Sequence, residues 1–213
     1  MKSITIAALI SSEPEYTYNA QTDTIKSATF QAQIATGYNE KRVTAEISVT
    51  VYGKQAEALQ EVNPNVIISG DMELNKNQPM HINNAKVYPG AIGLMLNQVS
   101  IAGNVGGEVT YNAEVGVAKV SLATRRTKEV TDWLNCDIWG KQGETANNYL
   151  ASGSQCAIGG QLKLETWNDK LTGERRIGYR VTADRLTLLG GKRTQETETR
   201  QQAVAAGSYD DDF

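Results

Sequence analysis

Three residues of this sequence, Trp133, Trp139 and Trp167, are suited to one kind of chemistry, the stacking of flat molecules. An indole offers a large π-face, and nucleobases with their flanking phosphates are obvious partners for it. Read with a period of two, Thr131 to Trp139 places Leu134, Cys136 and Ile138 on one face and Trp133, Asn135, Asp137 and Trp139 on the other. Both indoles fall on the polar side. Over residues 155–167, Cys156, Ile158, Gly160, Leu162 and Leu164 alternate with Ala157, Gly159, Gln161, Lys163, Glu165 and Trp167, so the third indole also sits with the polar set. A second layer packed over the face would explain one such placement. Three together point to an exposed stacking surface.

Strands of this kind need a small β-domain to position them, and the sequence contains that unit twice. Tyr52-Gly53-Lys54-Gln55 with Glu57 recurs as Trp139-Gly140-Lys141-Gln142 with Glu144. Glu15-Tyr16-Thr17-Tyr18-Asn19 is echoed by Glu108-Val109-Thr110-Tyr111-Asn112, and Ile34-Ala35-Thr36 by Leu122-Ala123-Thr124. Ser69-Gly70 precedes Met72 and Leu74 as Gly159-Gly160 precedes Leu162 and Leu164. A spacing of about 90 residues is far too long for a solenoid unit and indicates duplicated domains, with the boundary near Pro89-Gly90. In the second copy, strands are expected over 97–105, 115–124, 131–139, 155–167 and 177–189, with a helix over about 144–150. Five strands with a helix between the third and fourth predict an all-β chain of two tandem OB-fold Greek-key barrels, each with one short helix. An SH3-like barrel would lack that helix.

Composition fits a soluble globular protein, with 40% hydrophobic and 21% charged residues. The net charge of −3 speaks against a nucleic-acid partner only if it is spread evenly, and it is not. Residues 1–90 carry 7 Lys and Arg against 9 Asp and Glu, residues 91–191 carry 11 against 10, and residues 192–213 carry 3 against 5. Only the middle part is net positive. Cys136 and Cys156 fall on the apolar parity of their strands and read as reduced core residues of a cytoplasmic-type compartment. The apolar start, Ile4 to Ile10, reads as a first strand rather than a signal peptide, and no apolar run approaches the roughly 20 residues of a membrane span. The lone histidine, His81, has no cysteine cluster near it and reads as a surface residue. Neither a phosphate-binding Gly-rich loop nor a nucleophile elbow is present, so no enzyme and no cofactor or metal is expected.

The second copy resembles the bacterial single-stranded-DNA-binding proteins. The resemblance rests on Leu122-Ala123-Thr124, Thr131-Asp132-Trp133, Trp139-Gly140-Lys141 with Glu144, Tyr149-Leu150 through Gly153-Ser154, Gly160-Gln161-Leu162, and Trp167 before the turn at Lys170 to Gly173. These stretches cover residues 97–190 in the family's order. The resemblance implies that Trp133, Trp139 and Trp167 stack on bases. The family's further stacking aromatic has no match near Arg125-Arg126, where cations stand instead. With Lys128, Lys141, Lys163, Lys170, Arg175 and Arg176, these two arginines are the expected phosphate ligands.

The resemblance also bears on the rest of the chain. A polar linker over 192–206 leads to Asp210-Asp211-Asp212-Phe213, matching the acidic tip with which the family docks replication and repair proteins. Residues 192–213 are expected to be a disordered tail. A divalent ion on those aspartates is the other use of such a cluster, but a flexible terminus gives it no fixed geometry. The first copy departs from the family. Its third strand turns Thr44, Glu46, Ser48, Thr50 and Tyr52 outward, with one aromatic, and Asp71 and Glu73 stand where the second copy has Gln161 and Lys163. Residues 1–90 are therefore expected to be a degenerate barrel kept for assembly, and residues 91–191 the barrel that binds single-stranded DNA. Because the family assembles four barrels, a homodimer is expected, with a homotetramer as the alternative. The tandem layout resembles a thylakoid-associated form of the family, which implies a cytoplasmic, nucleoid location with peripheral membrane contact. An OB module binding RNA or oligosaccharide is the alternative function, to be separated by competition against oligo-dT.

Overall fold

In the computed structural model, residues 1–37, 39–74 and 78–190 are described. The period-two segments form twelve strands in one continuous sheet. The first half contains β1 (Lys2–Ile10), β2 (Glu15–Tyr18), β3 (Ile25–Thr36), β4 (Val43–Tyr52), the short helix α1 (Lys54–Ala58), β5 (Asn65–Glu73) and β6 (His81–Pro89). The second contains β7 (Asn97–Val105), β8 (Thr110–Asn112), β9 (Val117–Arg125), β10 (Thr131–Trp139), α2 (Gly140–Tyr149), β11 (Gln155–Asn168) and β12 (Arg175–Leu188).

Pairing closes a barrel. β1 pairs with both β3 and β5, and the circuit runs on through β4 and β6. The same circuit recurs as β7, β9, β10, β12 and β11. In each, one pair is parallel, β4 with β6 and β10 with β12. Parallel neighbours need a crossover, and the helix with the strand after it supplies one. This Greek-key layout is that of an OB-fold. Antiparallel pairing of β1 with β7, Ser3 opposite Ser100, joins the two circuits through their first strands.

The inward parity supplies the core: Ile4, Ile6, Phe30, Ile47 and Ile68 in the first circuit, Val99, Ile101, Leu122, Leu134 and Leu162 in the second. Cys136 and Cys156 are buried there as free thiols, and burial pushes them up to about 12 and about 11. The Ser69-Gly70 and Gly159-Gly160 repeat marks a register shift in β5 and in β11. At Gly70 and Gly160 a side chain would run into the backbone of the neighbouring strand, so the bulge requires glycine.

Two expectations need correction. α2 begins at Gly140, not near Glu144, because the Gly140 N–H donates to the Gly116 carbonyl (2.8 Å) and turns the chain directly out of β10. The echoed segments around Tyr16 and Tyr111 are themselves strands, β2 and β8, each lying on the start of the following long strand. Among the described residues no helix is long and apolar enough to cross a membrane.

Candidate nucleic-acid interface

β10 turns Leu134, Cys136 and Ile138 inward, all fully buried, and leaves Trp133 56% and Trp139 49% exposed. Trp167, near the end of β11, is 51% exposed. Half exposure is what a stacking platform needs, since one side of the ring is held and the other is open. Glycines do the holding for two of them. A side chain at Gly106 would overlap the six-membered ring of Trp133, and one at Gly178 that of Trp167. Gly178 lies opposite Glu165, diagonal to Trp167 across the β11–β12 pair, so the indole lies down over it. Trp133 and Trp167 border one groove of about 670 Å³, whose second-circuit wall also carries Arg175, Arg176, Ile177 and Tyr179. Trp139 does not line it. Six residues along a strand amount to about 20 Å, so Trp139 is a separate half-exposed indole beside α2.

The outward face between the indoles is wired by charge. Asp137 has outward parity yet is only 9% exposed, because Arg180 on the parallel neighbour β12 covers it. The Arg180 guanidinium donates to Asp137 (2.9 Å) and to Glu165 (3.3 Å), and Lys163 donates to the other Glu165 oxygen (3.1 Å). Burial opposes ionisation of Glu165, but Lys163 and Arg180 outweigh it and hold the carboxyl below its usual range. Sequence reading missed Arg180. Its signal was an outward parity on the last strand, but its partners lie on two other strands, one brought beside it only by barrel closure.

Of the expected phosphate ligands, Arg125, Lys128, Lys141, Lys170 and Arg175 are exposed and form no ion pair among the described residues. Lys163 is exposed but leans on Glu165, and Arg176 is partly covered, pairing with Glu174 (2.9 Å) and Asp169 (3.8 Å) on the β11–β12 hairpin. Arg126 stands apart from the set. Its guanidinium bridges Glu73 of the first circuit (2.7 Å) and the buried Asp132 (2.8 Å), and it also reaches the Leu74 carbonyl (3.4 Å). A guanidinium already neutralised by two carboxylates has little to offer a phosphate. Asp210, Asp211, Asp212 and Phe213 lie outside the described residues.

The Arg126 cluster joins the circuits. Lys2 of β1 pairs with Asp132, and burial, with Arg126 nearby, pulls its ammonium down to about 8. Burial disfavours the charged Glu73, but hydrogen bonds from Asn83 and Arg126 hold it below the usual carboxylate range. His81 is not a simple surface residue: its ring bonds to Thr50 (2.9 Å) and lies 3.5 Å from Glu73. Further along the junction, the Met80 N–H donates to the Tyr179 hydroxyl (3.1 Å) and the Leu164 N–H to the Thr36 hydroxyl (3.0 Å). Glu73 thus serves the junction, while Asp71 is exposed.

Comparison with known proteins agrees with this geometry. Residues 96–189 match the Single-strand binding protein family. A single-stranded DNA-binding protein of Thermosynechococcus vestitus is 36% identical over 117 residues, covering 53% of this chain and 94% of that protein. Single-stranded DNA-binding protein 1 of Nostoc sp. is 33% identical over 108 residues, covering 48% and 91%. The crystal structure of the wild-type single-stranded DNA binding protein from Thermus aquaticus superposes with a TM-score of 0.60 at 20% identity, over 92% of this chain and 96% of that one, and shows the shared fold. With relatives matched over nearly their full length, the chain belongs to the single-strand binding protein family.

Proposed function

We propose that the chain binds single-stranded DNA without reading its sequence, where replication, recombination and repair expose single strands. The observation that carries this reading is the set of half-exposed indoles, two seated on glycine beside Arg175 and Arg176. Every base has a π-face, so stacking on Trp133, Trp139 and Trp167 contributes about 1–3 kcal/mol per base whatever the sequence. Arg125, Lys128, Lys141, Lys163, Lys170, Arg175 and Arg176 neutralise phosphates and release counterions. No bond is made or broken, and a neutral oligosaccharide would leave those cations without a role. Titration with oligo-dT tests this: quenching of tryptophan fluorescence is expected, with affinity falling steeply as salt rises. Absence of quenching at low salt would overturn it.

In this reading residues 91–191 bind DNA, residues 1–90 serve assembly, and residues 192–213 carry the acidic tip to replication and repair proteins. The support for the first division is that the first half has no tryptophan and turns Asp71 outward where the second has Gln161. The expected homodimer finds support in the outer face of the β1–β7 seam, where Ser3, Thr5, Ala7, Ser100 and Ala102 are small, uncharged and only partly covered. Such a face lets a second sheet approach closely, and light scattering giving a monomer would exclude both dimer and tetramer. A nucleoid location follows from DNA binding, and peripheral thylakoid contact is testable by fractionation.

A further inference from the structure

The groove beside Trp133 and Trp167 is not made by the second circuit alone. Its opposite wall belongs to the first: Glu46 of β4, Leu74, Gln78 and Pro79. The walls are held at fixed separation by cross-links that flank the groove, Met80 to Tyr179, Leu164 to Thr36, and Arg126 to Glu73 and the Leu74 carbonyl. At about 670 Å³ the space is of the size that holds a small organic group.

Charge in the groove is divided between the walls. Arg175 and Arg176 stand on the second-circuit side with the two indoles, and the Glu46 carboxylate stands on the first-circuit side. The Ser11 hydroxyl donates to one Glu46 oxygen (3.0 Å) and orients the carboxylate; the other oxygen accepts no hydrogen bond among the described residues. A strand entering the groove places its phosphate on the arginine side, because a carboxylate repels it. The base then lies on an indole with its edge toward Glu46. An ionised carboxylate accepts hydrogen bonds and cannot donate them. Cytosine presents an exocyclic amino donor at the edge where thymine presents an oxygen acceptor.

We infer that the groove is a one-base pocket shared by both circuits, in which Glu46 accepts a hydrogen bond from the exocyclic amine of the stacked base and so favours cytosine over thymine. This gives the first circuit a direct part in DNA contact beyond assembly, and it rests on the stacking reading above. The preference is confined to one base among those bound, so it biases binding without making it sequence-specific.

The test uses the full chain with oligo-dC and oligo-dT of one length, titrated at one salt concentration. Glu46→Ala is expected to lower the dC-to-dT affinity ratio roughly threefold to tenfold, the net worth of one solvent-accessible hydrogen bond. Affinity for oligo-dT should stay the same or rise slightly, since an anion has been removed. Glu46→Gln, whose amide oxygen still accepts, should retain part of the ratio. An unchanged ratio in Glu46→Ala would overturn the inference. Trp167→Ala separates the two levels: if it weakens both oligonucleotides while Glu46→Ala leaves the ratio alone, only the shared pocket fails. If Trp167→Ala changes neither affinity, stacking at this groove fails and the pocket fails with it.

Discussion

The two circuits share strand order, crossover and the glycine bulge, yet present different outward residues at matching positions. On β10 the outward set is Trp133, Asn135, Asp137 and Trp139; on β4 it is Thr44, Glu46, Ser48, Thr50 and Tyr52. Tyr52 sits where Trp139 does, but its hydroxyl is engaged by Asn83 (3.0 Å). Asp71 and Glu73 of β5 stand at the positions that Gln161 and Lys163 hold on β11, and Glu73 is spent on Arg126 across the junction. Inward residues are constrained by the core they must fill. Outward residues carry no such constraint, so matching positions can diverge: Glu73 holds the neighbouring circuit where the second copy carries the exposed Lys163.

The difference between the circuits rests first on the indoles. Changing Trp133, Trp139 and Trp167 together to Ala should weaken oligo-dT binding by several kcal/mol, about the per-base stacking value multiplied over the platforms, while thermal stability stays close to that of the parent because the rings are half exposed. A variant that binds normally would remove the distinction between the circuits.

Arg126 and Arg175 are expected to act on different properties. Arg126→Ala leaves the buried Asp132 and the partly buried Glu73 without a shared cation and should cost about 3 kcal/mol of stability in denaturant titration, with little change in the salt slope of DNA binding. Arg175→Ala should leave stability alone and reduce that slope by about 0.7, the value for one phosphate of a single strand. A swapped pair of results would mean that the junction and the DNA face have been misassigned.

A smaller effect concerns pH. The folded-state carboxyl of Glu73 is held below its unfolded range, so its stabilisation is present above that range and is lost as pH falls through the folded value. Stability measured from neutral pH downward should therefore decline on the acid side, and Glu73→Gln should lower the plateau and flatten that decline. An identical acid limb in the variant would remove Glu73 from the account.

Much of this was legible in the chain order of residues because strand parity is local. Trp133, Trp139 and Trp167 fell on the outward set by counting alone, and the two thiols on the inward set. Partners brought by closure were not legible. Arg180 meets Asp137 only because β12 lies parallel to β10, and Arg126 meets Glu73 only because the circuits join. Asp132 did carry a local sign, a carboxylate on the inward parity, which demands a buried cation; nothing nearby in sequence names Lys2 as one of its partners. The start of α2 at Gly140 was not legible because it is fixed by a hydrogen bond to Gly116, which is distant in sequence and precedes the neighbouring strand.

The most direct test of the division between the circuits is photocrosslinking of the full chain to a bromodeoxyuridine oligonucleotide, followed by peptide mapping. Adducts should concentrate on peptides holding Trp133, Trp139 and Trp167. The exposed tyrosines Tyr18, Tyr52 and Tyr88 of the first circuit offer an equally accessible control. Adducts found chiefly on those tyrosines would contradict the assignment of the DNA face to the second circuit.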